Sequence, residues 1–215
     1  MNPFFLDLVI ESDEARRSFE TNPAILDAIS HGMSASRYRQ LLLELYHVVW
    51  HFNPICAAAA SRLPDTHRDI RYFLYDHMHE ESGHEQWVIA DLAAIGTPRK
   101  DIDVHQPSIH TLTLTAYNYW AADRRHPAAV LGMMYALEVI ASVYGGPFSS
   151  SIKEALLLED DRGTSFLSSH ATMDVEHMVH LKEVLNTVAD DTTRAAVVES
   201  TKVNFHHITR VFQAL

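Results

Sequence analysis

The scarcity of glycine and proline constrains the fold of this chain more than any other feature. The 215-residue sequence holds 7 glycines and 8 prolines, which mostly fall at the ends of long segments with helical periodicity. Few stretches alternate apolar and polar residues as a half-buried strand would. We find no internal repeat and no low-complexity segment. The sequence therefore predicts an all-α protein of about seven helices, folded as a single domain over residues 1–215.

The breaks between periodic segments set the predicted helix ends. A long helix ends near Arg62, and Thr66 starts a second one that continues to about Ile95. Residues 145–147, Gly-Gly-Pro, are expected to end another helix after Tyr144. The other helices are placed at about 3–20, 23–31, 108–125, 148–159, 164–188 and 191–212, with a polar connection over about 99–107.

Charge and cysteine content exclude several classes of protein. A formal net charge of −11 without a basic run argues against binding to nucleic acid or to an anionic membrane surface. The single cysteine, Cys56, rules out an internal disulfide and fits a reducing cytoplasm. We find no signal sequence and no stretch of about 18 apolar residues that could span a membrane. The expectation is a soluble, cytoplasmic protein.

One late segment places three potential metal ligands on one helical face. His170, Asp174 and His177 are spaced so that a helix stacks their side chains in a column. With 15 histidines in the chain, a histidine-rich amphipathic helix without metal explains this segment about equally well. The rest of the chain has to decide between the two interpretations.

Three further predicted helices carry a carboxylate within an otherwise apolar stretch. An isolated buried glutamate is costly unless it is paired or binds a metal. The order Glu, Glu-x-x-His, Glu, Asp-x-x-His across four helices is typical of carboxylate-bridged di-iron and di-manganese bundles. In this chain the pattern consists of Glu44, Glu81 with His84, Glu138, and Asp174 with His177.

Helix geometry and charge balance agree with this pattern. Glu44 and Glu81 lie about 19 and about 18 residues from the turn at Leu63, so antiparallel helices would bring them to nearly the same height. Four carboxylates would balance two divalent ions. A donor set of oxygens and imidazoles without thiolate favours iron or manganese over zinc.

His170 is one potential ligand more than this pattern needs, and it indicates a particular family. With it, the chain resembles the haem-oxygenase-like di-iron oxidases and oxygenases, which are related to thiaminase II and the pyrroloquinoline-quinone synthases. The resemblance implies a seven-helix bundle whose metal ligands are Glu44, Glu81, His84, Glu138, His170, Asp174 and His177. It further implies two iron ions per chain, with manganese as the alternative. The implied reaction is oxidation of a small fatty-acid-like or amino-acid-like substrate by dioxygen, with an external electron donor where one is needed. We also expect a homodimer.

Other interpretations stay open at this point. A thiaminase II-like hydrolase would need a nucleophilic cysteine near the pocket, and Cys56 is on the Glu44 helix rather than beside Glu138. A true haem oxygenase would need a proximal histidine on the first helix, and residues 1–20 contain none. A non-catalytic metal-binding bundle is the rival from another class. Three histidines could replace one of these ligands, although histidines near such a site more often line the pocket. They are His47, His51 and His77.

Overall fold

The computed structural model describes residues 3–215, and every regular element within that range is helical. Fold class is thus confirmed, but the described residues form eleven α-helices instead of about seven. The helices are α1 Phe4–Glu11, α2 Asp13–Glu20, α3 Pro23–His31, α4 Ala35–Ala60, α5 Arg68–Glu80, α6 Glu85–Ala94, α7 Arg99–Val104, α8 Ile109–Trp120, α9 Val130–Leu156, α10 Ser165–Thr187 and α11 Asp191–Gln213. Short 3₁₀ turns cover Asp65–His67 and Pro127–Ala129, and a π turn covers Ala121–Arg125.

The predicted second long helix is interrupted where the sequence places two candidate ligands. Between α5 and α6 the chain makes a turn over residues 81–84. Gly83 adopts φ +94° there, a conformation that glycine tolerates and that a right-handed helix excludes. Glu81 and His84 therefore lie on this turn, and the prediction of one continuous helix was wrong.

The predicted stop at residues 145–147 is also wrong, because α9 runs through it to Leu156. Gly145 serves close packing instead: a Cβ at this position would lie 2.8 Å from the carbonyl oxygen of Leu167 on α10. Pro147 lies inside the helix, where it cannot donate a backbone hydrogen bond. The sequence analysis found no stretch that could span a membrane, but Pro127–Leu156 is long and apolar enough to do so by length and composition alone. Most of this segment is buried inside the protein, and buried core helices pass the same test.

The start of α10 is fixed by a buried aspartate from α6. The Asp91 carboxylate accepts hydrogen bonds from the backbone nitrogens of Gly163, Ser165 and Phe166, at 3.1, 2.9 and 2.8 Å. The hydroxyl of Tyr38 on α4 donates to the carbonyl of Gly163. The contacts of Asp91 satisfy backbone donors that the first turn of a helix leaves free. Together with the bond from Tyr38, they hold α10 in place against α4 and α6.

Candidate metal centre

Six of the seven predicted ligands meet in one buried cluster. The cluster lies between α5, the turn at residues 81–84, α9 and α10, and a seventh side chain, His77 of α5, joins it. The predicted residues brought together are Glu81, His84, Glu138, His170, Asp174 and His177.

The first half of the cluster combines two imidazoles and two carboxylates. One ligand atom from each of His77, Glu81, Glu138 and His177 lies within 4.8 Å of the others. His177 Nδ1 is 3.5 Å from Glu81 Oε1 and 3.4 Å from Glu138 Oε2. His77 Nε2 is 3.3 Å from Glu138 Oε1. Asp174 Oδ1 adds a further carboxylate oxygen 3.4 Å from His177 Nδ1.

The second half uses the other oxygen of Glu81. His84 Nδ1 lies 2.8 Å from Glu81 Oε2 and 3.2 Å from His170 Nε2. His170 Nε2 is 3.7 Å from the same carboxylate oxygen. Glu81 thus faces both halves, one oxygen to each, which is the placement that a bridging carboxylate needs.

The cluster leaves several buried polar atoms without a hydrogen-bond partner. Native proteins pair nearly all such atoms, so each unpaired one requires an explanation. Five of them point into the same small volume here, and metal coordination would use all five. They are His77 Nε2, Glu81 Oε1, Glu138 Oε2, Asp174 Oδ1 and His177 Nδ1.

Burial and close contacts between the cluster residues also shift the pKa values of several of them. Burial alone would raise the pKa of Glu81, but hydrogen bonds from neighbouring imidazoles outweigh burial and hold that pKa well below its usual range. Burial dominates at Asp174 and raises its pKa to about 6. Burial would lower the pKa of His177, yet contacts with Asp174 and Glu138 raise it to about 10. The imidazolium of His177 therefore offsets part of the carboxylate charge, and metal binding has to release its proton.

Glu44 is the one predicted ligand that the structure does not bring to the cluster. Its carboxylate is buried, with 2% exposure, and accepts from Ser108 N at 3.0 and 3.1 Å and from Ser108 Oγ at 2.9 Å. Gln40 Nε2 donates a further bond at 3.0 Å. The sequence analysis estimated the height of Glu44 along α4, but it did not determine the direction in which this side chain points around the helix axis. Glu44 points towards the start of α8.

Among the three histidines left open by the sequence, only His77 joins the cluster. His47 Nε2 lies 3.2 Å from His105 Nδ1, and His51 Nδ1 lies 3.0 Å from the hydroxyl of Tyr119. The position of His77 one helical turn before Glu81 was the available signal, and its complete burial distinguishes it in the structure.

Groups behind the imidazoles orient their rings. His170 Nδ1 donates to the carbonyl of Phe166 at 2.9 Å, which leaves Nε2 to face the cluster. Glu80, a residue that the sequence analysis missed, lies behind two rings: its Oε2 is 3.6 Å from His177 Nε2 and 4.0 Å from His77 Nδ1. Carboxylates and carbonyls in such positions commonly fix the tautomer and orientation of metal-binding histidines.

An apolar cavity of about 110 Å³ opens beside the cluster. Its polar lining residues are all cluster members: Glu81, Glu138, His170 and Asp174. No lysine or arginine is among the described residues that line it. The apolar walls come from α4, α9, α10 and α11 and include Leu41, Val49, Phe52, Ile140, Phe148 and Phe212.

Comparison with solved structures identifies the fold. A domain of unknown function with a haem oxygenase-like fold from Shewanella denitrificans is 26% identical, with a TM-score of 0.81 over 95% of this chain and 88% of that one. A TenA homologue from Pseudomonas syringae has a TM-score of 0.83 at 16% identity, covering 98% and 91% of the two chains. Haem oxygenase-2 from Synechocystis, solved with haem and NO, has a TM-score of 0.77 at 18% identity, covering 99% and 84%. The fold is haem oxygenase-like.

Comparison of sequences identifies the family. Among curated proteins, no sequence matches this chain. The profile of the iron-containing redox enzymes matches residues 39–204, a range that includes every residue of the cluster. The chain therefore belongs to the family of iron-containing redox enzymes.

Proposed function

We propose that this protein is a non-haem di-iron oxidase or oxygenase that acts on a small organic substrate with dioxygen. The observation that carries the proposal is the cluster of three carboxylates and four imidazoles, with five unpaired buried atoms, beside an apolar cavity. Oxygen and imidazole donors without thiolate suit iron, with manganese as the alternative. The family assignment favours iron.

The two halves of the cluster suggest how two ions would be shared. His77, Glu138, Asp174 and His177 would hold one ion, and His84 with His170 would hold the other. Glu81 would contact both. When bound, the iron pair would supply the electrons that reduce dioxygen and the oxidising power used on the substrate.

The chain's own residues orient the metal ligands, position the substrate and exclude water from the site. The carbonyl of Phe166 holds the proton on His170 Nδ1, so that Nε2 keeps its lone pair for the metal. The apolar walls of the cavity exclude water and place an uncharged substrate group next to the cluster. Because metal binding releases the protons of His170 and His177, the loaded site forms more readily as pH rises.

Two related activities fit the structure less well. Cys56 is completely buried, and burial, with smaller contributions from Glu81 and Glu138, raises the pKa of its thiol far above the usual range. A protonated, buried thiol is a poor nucleophile, which argues against a thiaminase II-like hydrolase. Haem oxygenase activity would need a proximal histidine on the first helix, and residues 1–20 contain none.

Metal loading followed by oxygen exposure tests the proposal. Anaerobic addition of Fe(II) should load about two ions per chain, and Glu81→Ala should lose most of the second equivalent. Dioxygen consumption should then accelerate when a substrate is added. Metal content near zero in the wild type would refute the proposal. Rapid iron oxidation that no added compound affects would indicate a metal-storing bundle instead.

A further inference from the structure

One readily oxidised side chain packs directly on the proposed metal ligands. The indole of Trp87, in the first turn of α6, stacks on the His84 ring, with ring centroids 4.1 Å apart and an angle of 20° between the planes. The same indole lies edge-on to the His170 ring, at 5.5 Å and 72°. Trp87 therefore contacts both imidazoles that would hold one of the two ions.

The other aromatic side chains around the cluster are phenylalanines. Three of them have ring centroids within 5.6 Å of a cluster imidazole: Phe52, Phe73 and Phe166. A benzene ring resists the removal of an electron, whereas indole is among the side-chain groups that lose one most readily. Of the described aromatic residues that pack on the imidazoles, Trp87 is thus the one that can act as an electron donor.

Trp87 also connects the buried cluster to the protein surface. His84 and His170 are only 4% and 7% exposed, so a reductant in solution has little access to them. Trp87 is half-buried, and its indole nitrogen is not among the buried polar atoms that lack a partner. The apolar cavity reaches the cluster from another direction, because Trp87 does not line it. The substrate and a reductant would therefore approach the cluster from different sides.

We propose that Trp87 gives an electron to the iron pair when dioxygen has reacted there and the cavity holds no substrate. The path is short, because the indole and the His84 ring are stacked in contact. An oxidised iron pair without substrate would otherwise take electrons from its own ligands. This inference rests on the proposed function, since it requires an iron pair that reacts with dioxygen.

The electron and proton balance of this step requires a reductant from solution. The indole loses one electron, the iron pair gains it, and the indole N–H proton passes to water. A small phenol then gives one electron and one proton to the indole radical, which restores Trp87 and leaves a phenoxyl radical in solution. Without a phenol the indole radical adds dioxygen. One electron from excess Fe(II) and one proton from water then yield N-formylkynurenine, which retains both oxygen atoms and marks the residue.

Peptide mass spectrometry tests the proposal without an activity assay. The protein is incubated anaerobically with excess Fe(II), its metal content is counted, and dioxygen is added without substrate. N-formylkynurenine should form several-fold more at Trp87 than at Trp50 or Trp120, although these two are 51% and 48% exposed. Oxidants released into solution would attack the two exposed tryptophans first. Addition of 4-methoxyphenol should suppress the modification of Trp87.

Two substitutions separate electron donation from support of the His84 ring. Trp87→Phe keeps an aromatic ring on His84 but removes the indole. It should bind about two irons, like the wild type, and lose the indole radical that freeze-quench electron paramagnetic resonance detects in the wild type. Oxygen should then be added to His84 and His170 instead. Trp87→Leu also removes the stacked ring and should in addition weaken one iron position by about tenfold. Trp120→Phe, on α8, is the matched control and should behave as the wild type.

The outcomes distinguish this inference from the proposed function. A wild type that does not bind two irons, or whose bound iron does not react with dioxygen, would overturn both. Rapid oxidation of the bound iron with modification mainly at Trp50 and Trp120, or a radical signal that persists in Trp87→Phe, would overturn the role of Trp87 alone. If Trp87→Phe does not fold, the distribution of N-formylkynurenine in the wild type still decides the question.

Discussion

Replacing Glu44 by alanine should destabilise the fold without removing a metal ion. In the structure this carboxylate accepts bonds from Ser108 N and Oγ and from Gln40 Nε2, at 2.9 to 3.1 Å. A hydrogen bond to a charged group contributes about 1.5–3 kcal/mol. Alanine removes all of these bonds and leaves the donors at the start of α8 unpaired, but it also ends the cost of burying a charge.

The net loss can be estimated from these opposing contributions. Loss of a helix cap costs up to about 2 kcal/mol, and a buried acceptor with several donors is worth more than a surface cap. We therefore expect Glu44→Ala to lower the free energy of unfolding by about 2–4 kcal/mol. At about 2–4 °C per kcal/mol for a chain of this size, the Tm should fall by about 5–15 °C.

The assay compares stability and metal content in the same preparations. Thermal unfolding of metal-free Glu44→Ala gives the change in Tm, and anaerobic iron loading gives the stoichiometry, with Glu81→Ala as the control that should lose metal. A Glu44→Ala protein that keeps the wild-type Tm in the metal-free form but loses one iron would refute this reasoning. It would show that Glu44 leaves Ser108 and turns to the cluster when metal binds.

Three further predictions concern the cluster and its surroundings. His170→Ala should weaken one metal position by at least 10–100-fold while circular dichroism shows an intact helical fold; two irons bound as tightly as in the wild type would make His170 a bystander. Glu80→Gln should weaken iron binding by about tenfold and shift the visible spectrum of the cobalt-loaded protein, whereas a purely surface role predicts no spectral change. The pKa of His177 is raised to about 10 in the metal-free protein, against about 6.5 in an unfolded chain. Its stabilising contribution is fully present below about pH 6.5 and is lost as pH rises through about 10. Urea unfolding of the metal-free protein should therefore show stability falling between about pH 7 and 10, and a rise over that window would contradict the assignment.

The sequence predicted which side chains meet in the cluster better on long helices than elsewhere. His170, Asp174 and His177 follow directly from helical spacing, because α10 is regular throughout and its start is fixed by Asp91. Glu138 stood out as the only charge in an apolar stretch of α9. In each case the signal lay within one helix, although the pattern across four helices was needed to favour a metal site over a histidine-rich helix without metal.

Features that depend on packing between helices were not predictable in the same way. Whether Glu44 or His77 enters the cluster depends on how α4 and α5 are rotated about their axes, and sequence spacing does not determine that rotation. Gly145 looked like a helix stop, but its role is the close approach of α10 to α9. The predicted second long helix ran through Gly83, whose positive φ interrupts it at the turn over residues 81–84.

The proposed ligands are widely separated along the chain, and this would give a bound metal pair a second consequence. Glu81 and Glu138 come from different parts of the sequence, and His77 and His177 enclose a segment of about 100 residues. In the unfolded chain a cross-link across a loop of that length would remove conformational entropy worth about 4.7 kcal/mol. Bound metal would thus act on α5, α9 and α10 much as a disulfide does, in a chain whose single cysteine cannot form one internally. Hydrogen exchange in these three helices should slow most when iron is added, well beyond the residues that touch it.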